Sequence, residues 1–540
     1  MKELPHENDL EAHYFGATNE VVLSAYFSLF LVLLLLAVLL SNKVAHHWHS
    51  QYVPEAAAVI ALGIVAGIGC RLWPSMIAHT LMAFDTKTFF VVLLPPIIFN
   101  SGYTMKRRFF FENIRSILSF AVVGTFVSNV LVGLLLFVAG RIGLSVRLSV
   151  AECLTFGALI SATDPVSTLA IFQELHVDPT LFYIVFGESV LNDAVGIVLF
   201  TTFSKFVGFT YTASSTLFAL LDFALIFVGS TLVGVLFGLL SALLFKYFDF
   251  KKCTLHEVSA YILFSYLPFL VSTAVDMSGV VSILFTGITM KHYTHNNISA
   301  EAQDMCVATC SIASRDVSCL ILTLASLERS CSRIFSSLAH LTETIVFLNL
   351  GLTLFSVTSG YHGGFILCSI VSCFLGRAAH VYPISRALNK SLAEPLTINQ
   401  QHMLWFSGLR GAVAYALASS FPGEHRDYIV ATTMVIVLLT VFFMGGSTVS
   451  MLDRLQIARL TPEQEAELDR SVRPVDRMKL LQHDAKYLVP FFTRLHSKKI
   501  TSFGRSDDVS DTNDDDDEED YGATSIRSAK HVNAAVLATE

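Results

Sequence analysis

The stretch Phe186-Gly-Glu-Ser-Val-Leu-Asn-Asp-Ala-Val-Gly196 decides the fold. It lies inside a run from Leu181 to Phe203 that is otherwise apolar and long enough to cross a bilayer as a helix. Two carboxylates, a hydroxyl and an amide are expensive at that depth. Charged side chains there face a protein interior or a watery cavity and mark ion or proton pathways. Glu188 and Asn192 are four apart and share one helix face, while Ser189 and Asp193 share the neighbouring face about 100° round. A lone Asn or Ser in such a span reads as a tie between helices. Glu and Asp within six residues read as part of a transport path.

Composition agrees with a chain that lives in a membrane. Of 540 residues, 53% are hydrophobic and 15% charged, against about 25% charged in soluble domains. The net charge of −8 comes largely from the C-terminal tail, so it carries no implication of nucleic-acid binding. The nine cysteines sit mostly in or beside apolar spans, with no CxxC or Cys/His spacing that would suggest zinc or a disulfide framework. No cofactor is expected, and no metal beyond transported ions. The first span, Val21 to Ser41, has no cleavable-signal pattern and is long enough to stay as a membrane helix. No G-x-x-x-x-G-K-[ST] phosphate loop occurs, which favours secondary over ATP-driven transport and speaks against an enzyme.

Outward from Asp193 the sequence predicts an all-α polytopic protein with about thirteen membrane segments. They run near 21–41, 54–71, 88–103, 114–140, 150–173, 181–204, 216–245, 258–276, 279–290, 337–356, 363–389, 400–420 and 427–450. Lys and Arg concentrate in the loops after odd-numbered segments (Lys43, Lys106, Arg107, Arg108, Lys251, Lys252, Lys291, Arg386), which makes those loops cytosolic. Residues 1–20 are then lumenal or external, 21–450 form the membrane domain, and the hydrophilic tail 451–540 is cytosolic. The sequons at Asn297 and Asn389 fall on cytosolic loops and should carry no glycan. From about residue 505 the tail is acidic and should be disordered, with Ser510 and Thr512 inside the acidic run.

Polar interruptions recur at two places. Segment 5 holds Ser161, Thr163, Asp164, Pro165 and Ser167, and Pro165 both lacks an N–H and biases Asp164 away from helix. Segment 12 holds Ser407, Gly408, Arg410 and Gly411. An odd offset of seven segments makes the two cross the membrane in opposite directions. Interrupted helices in corresponding, inverted positions point to a transporter of inverted repeats with its site at the midplane. Glu343 and Arg377, inside segments 10 and 11, are candidates for the pathway or for a structural pairing. Pro95-Pro96 should break segment 3 and leave Asn100 near its end as a ligand or a cap.

Taken together, Ser161-Ala-Thr-Asp-Pro-Val-Ser167, Phe186-Gly-Glu-Ser-Val-Leu-Asn-Asp-Ala194 and Phe406-Ser-Gly-Leu-Arg-Gly-Ala412 resemble the eukaryotic sodium/proton exchangers, of the monovalent cation:proton antiporters. Leu94-Pro-Pro-Ile-Ile-Phe99, Thr342-Glu-Thr344 and Gly376-Arg-Ala378 fit the same family, in the same order. Lys291-His-Tyr-Thr-His295, the segment Asp484-Ala-Lys-Tyr-Leu-Val-Pro-Phe-Phe-Thr-Arg494 and the short tail are most similar to its Golgi and endosomal branch. The resemblance implies a homodimer, with a moving core of segments 4–6 and 11–13, segments 5 and 12 as crossed broken helices, and segment 7 as linker. It implies that Asp193 is the cation- and proton-binding carboxylate, with Asp164, Ser189 and Thr163 as accessory ligands. It implies that Asn192, beside Asp193, makes the exchange electroneutral. Glu188 and Arg410 resemble a buried pair that steadies the core. Asn100 stands where several relatives carry a carboxylate. Residues from about Met305 to Arg333, with four of the nine cysteines, look inserted between segments 9 and 10.

One carboxylate that holds either a proton or a monovalent cation suffices for coupling, given access that alternates between the two sides. The expected activity is electroneutral exchange of lumenal H+ for cytosolic Na+ or K+ across an organelle membrane, with regulatory proteins on the tail. The competing readings are a cation channel, or a non-transporting sensor or scaffold on the same fold.

Overall fold

A computed structural model describes residues 7–46, 54–72, 86–105, 107–209, 213–248, 254–298, 330–354, 360–391, 395–461, 464 and 487–493. Most of the inserted stretch and the acidic end of the tail lie outside the described residues. Among the described residues regular structure is helical, apart from an isolated antiparallel bridge between Val177 and Arg459.

The chain opens with α1 (Glu7–His46) and α2 (Glu55–Leu72). A π-helical turn, Phe89–Leu93, leads into α3 (Leu94–Thr104), and another, Ser119–Gly124, leads into α4 (Thr125–Ile142). Pro95-Pro96 therefore do not break segment 3. They occupy the first turn of α3 directly after the π turn, where a proline's missing N–H costs least. Asn100 sits within α3 and accepts a hydrogen bond from Ser336 Oγ at 3.0 Å, a tie between helices.

Segment 5 divides into α5 (Val150–Ser161) and α6 (Val166–Glu174). Ser149 starts α5 with a capping box to Glu152, the S-x-x-E pattern that satisfies two otherwise orphaned donors. Asp178 caps α7 (Pro179–Ser204), accepting from Thr180 N at 3.0 Å, with Pro179 pre-set at the first helical position. Next come α8 (Ala213–Tyr247), α9 (Thr254–Ala274), α10 (Gly279–His292), α11 (Ser330–Thr353) and α12 (Gly363–Leu388). Segment 12 divides into α13 (Ile398–Phe406) and α14 (Ala412–Ser419), and α13 begins, like α5, with a capping box, here Thr397 with Gln400. The helix α15 (Arg426–Leu439) and the amphipathic α16 (Thr448–Leu455) follow.

Among the described residues, eight helical stretches are long and apolar enough to cross a membrane. Large side chains such as Leu31, Leu35, Leu225 and Leu232 point outward from α1 and α8. An apolar exterior suits a bilayer, since helices keep their backbone hydrogen bonds within the segment.

The end of α10 and the turn after it meet the tail helix Val489–Phe492. Asn297 Nδ2 donates to Ala242 O on α8 at 2.9 Å and to Phe492 O at 2.7 Å. Lys246 Nζ donates to Pro490 O at 3.3 Å, and the rings of Tyr293 and Phe492 lie 5.3 Å apart. The Asn297 amide of the first sequon is thus buried and engaged. Asn389 of the second donates to Leu396 O and accepts from Leu396 N. Burial and the nearby Lys291 push the His295 imidazole down to about 4, leaving it neutral as a partner for the Tyr103 hydroxyl at 3.0 Å.

Candidate functional site

The site forms where the two interrupted helices cross. Asp164 N donates to Leu409 O at 2.9 Å, so one unwound segment satisfies the other. A side chain at Gly411 would collide with the Asp164 carboxylate, so only a glycine lets the segments come this close. Arg410 is buried and donates through Nη1 to Ser161 O at 3.0 Å and Ala162 O at 3.2 Å. Those carbonyls end α5 without helical partners, and a cation there offsets the negative end of the helix dipole. Thr440 Oγ1 completes the crossing by accepting from Arg410 N at 3.1 Å.

Helix α7 passes beside this crossing with its polar stretch turned inward. Ser189 Oγ donates to Thr163 O at 3.0 Å, and Asn192 Nδ2 donates to Thr163 Oγ1. Asp193 is 9% exposed, and its Oδ1 has no hydrogen-bond partner among the described residues. It lines a cavity of about 80 Å³ with Asp164, Ser189, Ser101 and Glu343. A water takes up about 30 Å³, so the space suits a small cation with part of its hydration shell. Asp193, Asn192, Asp164, Ser189 and Thr163, all expected together, are brought together. Oxygen donors of this kind suit hard cations.

The pairing of Glu188 differs from expectation. Its partner is Arg377 of α12, not Arg410. Arg377 Nη1 donates to Glu188 Oε1, Nη2 donates to Oε2 at 3.2 Å, and Nη2 also reaches Leu404 O at 2.8 Å. Arg410 is committed to the carbonyls of the broken α5, which leaves the forked bidentate geometry to Arg377. His380, one turn along α12, donates from Nδ1 to Gly376 O at 3.0 Å and places Nε2 3.9 Å from Glu188 Oε1. The sequence leaves Arg377 a candidate for the pathway or for a structural pairing and identifies no partner for it. The spacing of Arg377 and His380 along one helix face was the available signal, but it names no partner on another helix.

Comparison with known proteins gives a consistent result. The sodium/hydrogen exchanger transmembrane family model matches residues 28–454. Sodium/hydrogen exchanger 8 of Mus musculus is 36% identical, over 89% of this chain and 86% of its own. Sodium/hydrogen exchanger 5 of Arabidopsis thaliana is 37% identical, over 79% of each chain. Sodium/hydrogen exchanger 9 of Mus musculus is 36% identical, over 76% of this chain and 64% of its own. Among solved structures, the sodium proton antiporter MjNhaP1 of Methanocaldococcus jannaschii superposes with a TM-score of 0.59 at 17% identity, covering 80% of this chain and 99% of that one.

Proposed function

The chain belongs to the sodium/hydrogen exchanger family, and from that premise we propose that Asp193 is the single carboxylate over which a cation and a proton compete. It is a multi-pass membrane Na+/H+ antiporter and not an enzyme. The observation that carries the proposal is the buried, unpartnered Oδ1 of Asp193 at the wall of a small polar cavity between crossed broken helices. A carboxylate so placed binds either a proton or a dehydrated cation, and not both. Ser189, Asp164 and Thr163 supply further oxygens or hold the unwound backbone in place. Asn192 is neutral, so the site carries one exchangeable charge and the exchange is electroneutral. Alternating access comes from the core bearing α4–α7 and α12–α15 shifting against the rest.

The wider setting is part of the same proposal. The tail motif and Lys291–His295 favour a Golgi or endosomal membrane, with the C-terminus cytosolic by the placement of Lys and Arg in the loops. Protons then leave the lumen in exchange for cytosolic Na+ or K+, opposing acidification and regulating pH and cation balance. A second copy of the chain completes a homodimer, and the tail from residue 451 receives regulatory proteins.

The test is ion-driven proton flux in proteoliposomes, wild type beside Asp193→Asn. An imposed Na+ or K+ gradient should move protons in the wild type without regard to membrane potential, and the variant should be silent. A variant that transports like wild type would remove Asp193 from the site.

A further inference from the structure

Glu343 is the carboxylate of the cavity that the exchange scheme leaves unused. It is half-buried on α11 and lines the same 80 Å³ space as Asp164 and Asp193. The lining contains three carboxylates and no Lys or Arg. A structural carboxylate in a membrane protein is normally held by a basic partner, as Glu188 is by Arg377.

The packing of α11 on α2 gives the direction of the path. Gly63 of α2 and Gly351 of α11 face each other so closely that a side chain at Gly63 would stand 2.5 Å from Leu348 O. Glu55 precedes Gly63, and Glu343 precedes Gly351, by about two helical turns. Glu55 is exposed in the first turn of α2, where its Oε2 accepts from Ser41 Oγ at 3.0 Å. Glu343 shares the cavity lining with Asp164, and the charges of both Asp164 and Glu55 act on it. Carboxylates thus continue from an exposed helix end, through Glu343, to the unpartnered Oδ1 of Asp193.

We infer that Glu343 is the access residue for the transported cation, collecting it from the side marked by Glu55 and passing it to Asp193. Like charges lining a narrow cleft with low-dielectric walls focus the field and raise the local concentration of counter-ions. This rests on the antiport reading above, and in the orientation given there the Glu55 side is cytosolic. Glu343 acts on cation arrival, whereas Asp193 is needed in every step. Glu343 should therefore set KM and leave kcat nearly alone.

The experiment measures Na+-driven proton flux against Na+ concentration in proteoliposomes, at low and high choline chloride. Wild type, Glu343→Gln, Glu343→Asp and Glu55→Gln are compared. Glu343→Gln should raise the KM for Na+ on the Glu55 side roughly three- to tenfold with kcat little changed, and Glu343→Asp should restore most of it. Glu55→Gln, at the exposed end, should raise KM less and only at low ionic strength. An unmoved KM in Glu343→Gln, or a fall in kcat at constant KM, overturns the inference while a working wild type leaves the antiport reading standing. Where Glu343→Gln fails to fold by detergent size-exclusion, Glu343→Asp and Glu55→Gln decide it, and wild-type KM values in both overturn it. A silent wild type removes the antiport reading and this inference together.

Discussion

Helices α7 and α8 follow one another in the chain, and both are apolar enough to cross a bilayer. The membrane window of α7 is 83% buried, and that of α8 is 17% buried. Helix α7 carries Glu188, Ser189, Asn192 and Asp193 mid-span and buries all four. Helix α8 turns Leu225, Leu232 and Phe218 outward, each about two thirds exposed (68%, 65% and 65%). Its polar groups are settled locally or at contacts with the helices packed on it. Ser230 donates to Ile226 O, and Ser241 meets Thr294 at 2.6 Å. Hydrophobicity alone thus selects what enters the membrane, and the polar residues select what occupies its protein-lined centre. Lipid offers no hydrogen bonds, so a helix with four mid-span polar groups must find its partners on other helices.

The sharpest way to break this contrast is to remove one partner of the polar pair on α7. Arg377→Ala leaves Glu188 buried and uncompensated and should cost about 3–5 kcal/mol, seen as a much lower unfolding temperature in detergent. Replacing both residues, Glu188→Leu with Arg377→Met, should recover much of that loss, because the penalty comes from the stranded charge. Equal stability of Arg377→Ala and wild type would show that the pair does not hold the core.

A smaller effect is expected from adding charge beside Asp193. Asn192→Asp places a second carboxylate on the same turn, so the antiport should become sensitive to membrane potential. Carrying one further charge across the field is worth about 2.3 kcal/mol per 100 mV, readable as flux under a valinomycin-set potential. Flux that stays independent of potential would separate Asn192 from the stoichiometry.

The smallest effects belong to α8. Leu232→Ala, on the lipid-facing side, should change stability by about 0.5 kcal/mol or less. Leu191→Ala on α7, 1% exposed, should cost about 2–5 kcal/mol. Similar losses at the two positions would mean that the outward face of α8 is covered by protein.

Much of the site was legible because it is local. Pro165 removes a helix N–H, Gly408 and Gly411 weaken the second helix, and the Phe186–Gly196 stretch places its polar residues by helical period. The structure has both breaks where these residues are, at Ala162–Pro165 and Ser407–Gly411. Local rules misled at Pro95-Pro96, where a preceding π turn lets the helix continue. They also assigned Glu188 the wrong arginine. Arg377 lies on α12 and Arg410 in the break between α13 and α14, both inside apolar segments, and the sequence carries no measure of how each segment is rotated about its axis.

The sequence by itself determined that this chain is a helical membrane protein with two interrupted spans and one carboxylate-bearing span, because solvation by lipid acts on each segment separately. Only the tertiary structure decided that Asp164 N meets Leu409 O, that Arg410 caps α5, and that Glu188 binds Arg377 across 189 residues. Only it brought Glu343 into the cavity of Asp193. Those contacts depend on the depth and rotation of whole helices, set by close packing at points such as Gly411 and Gly63 against Gly351. No local pattern in the chain encodes them.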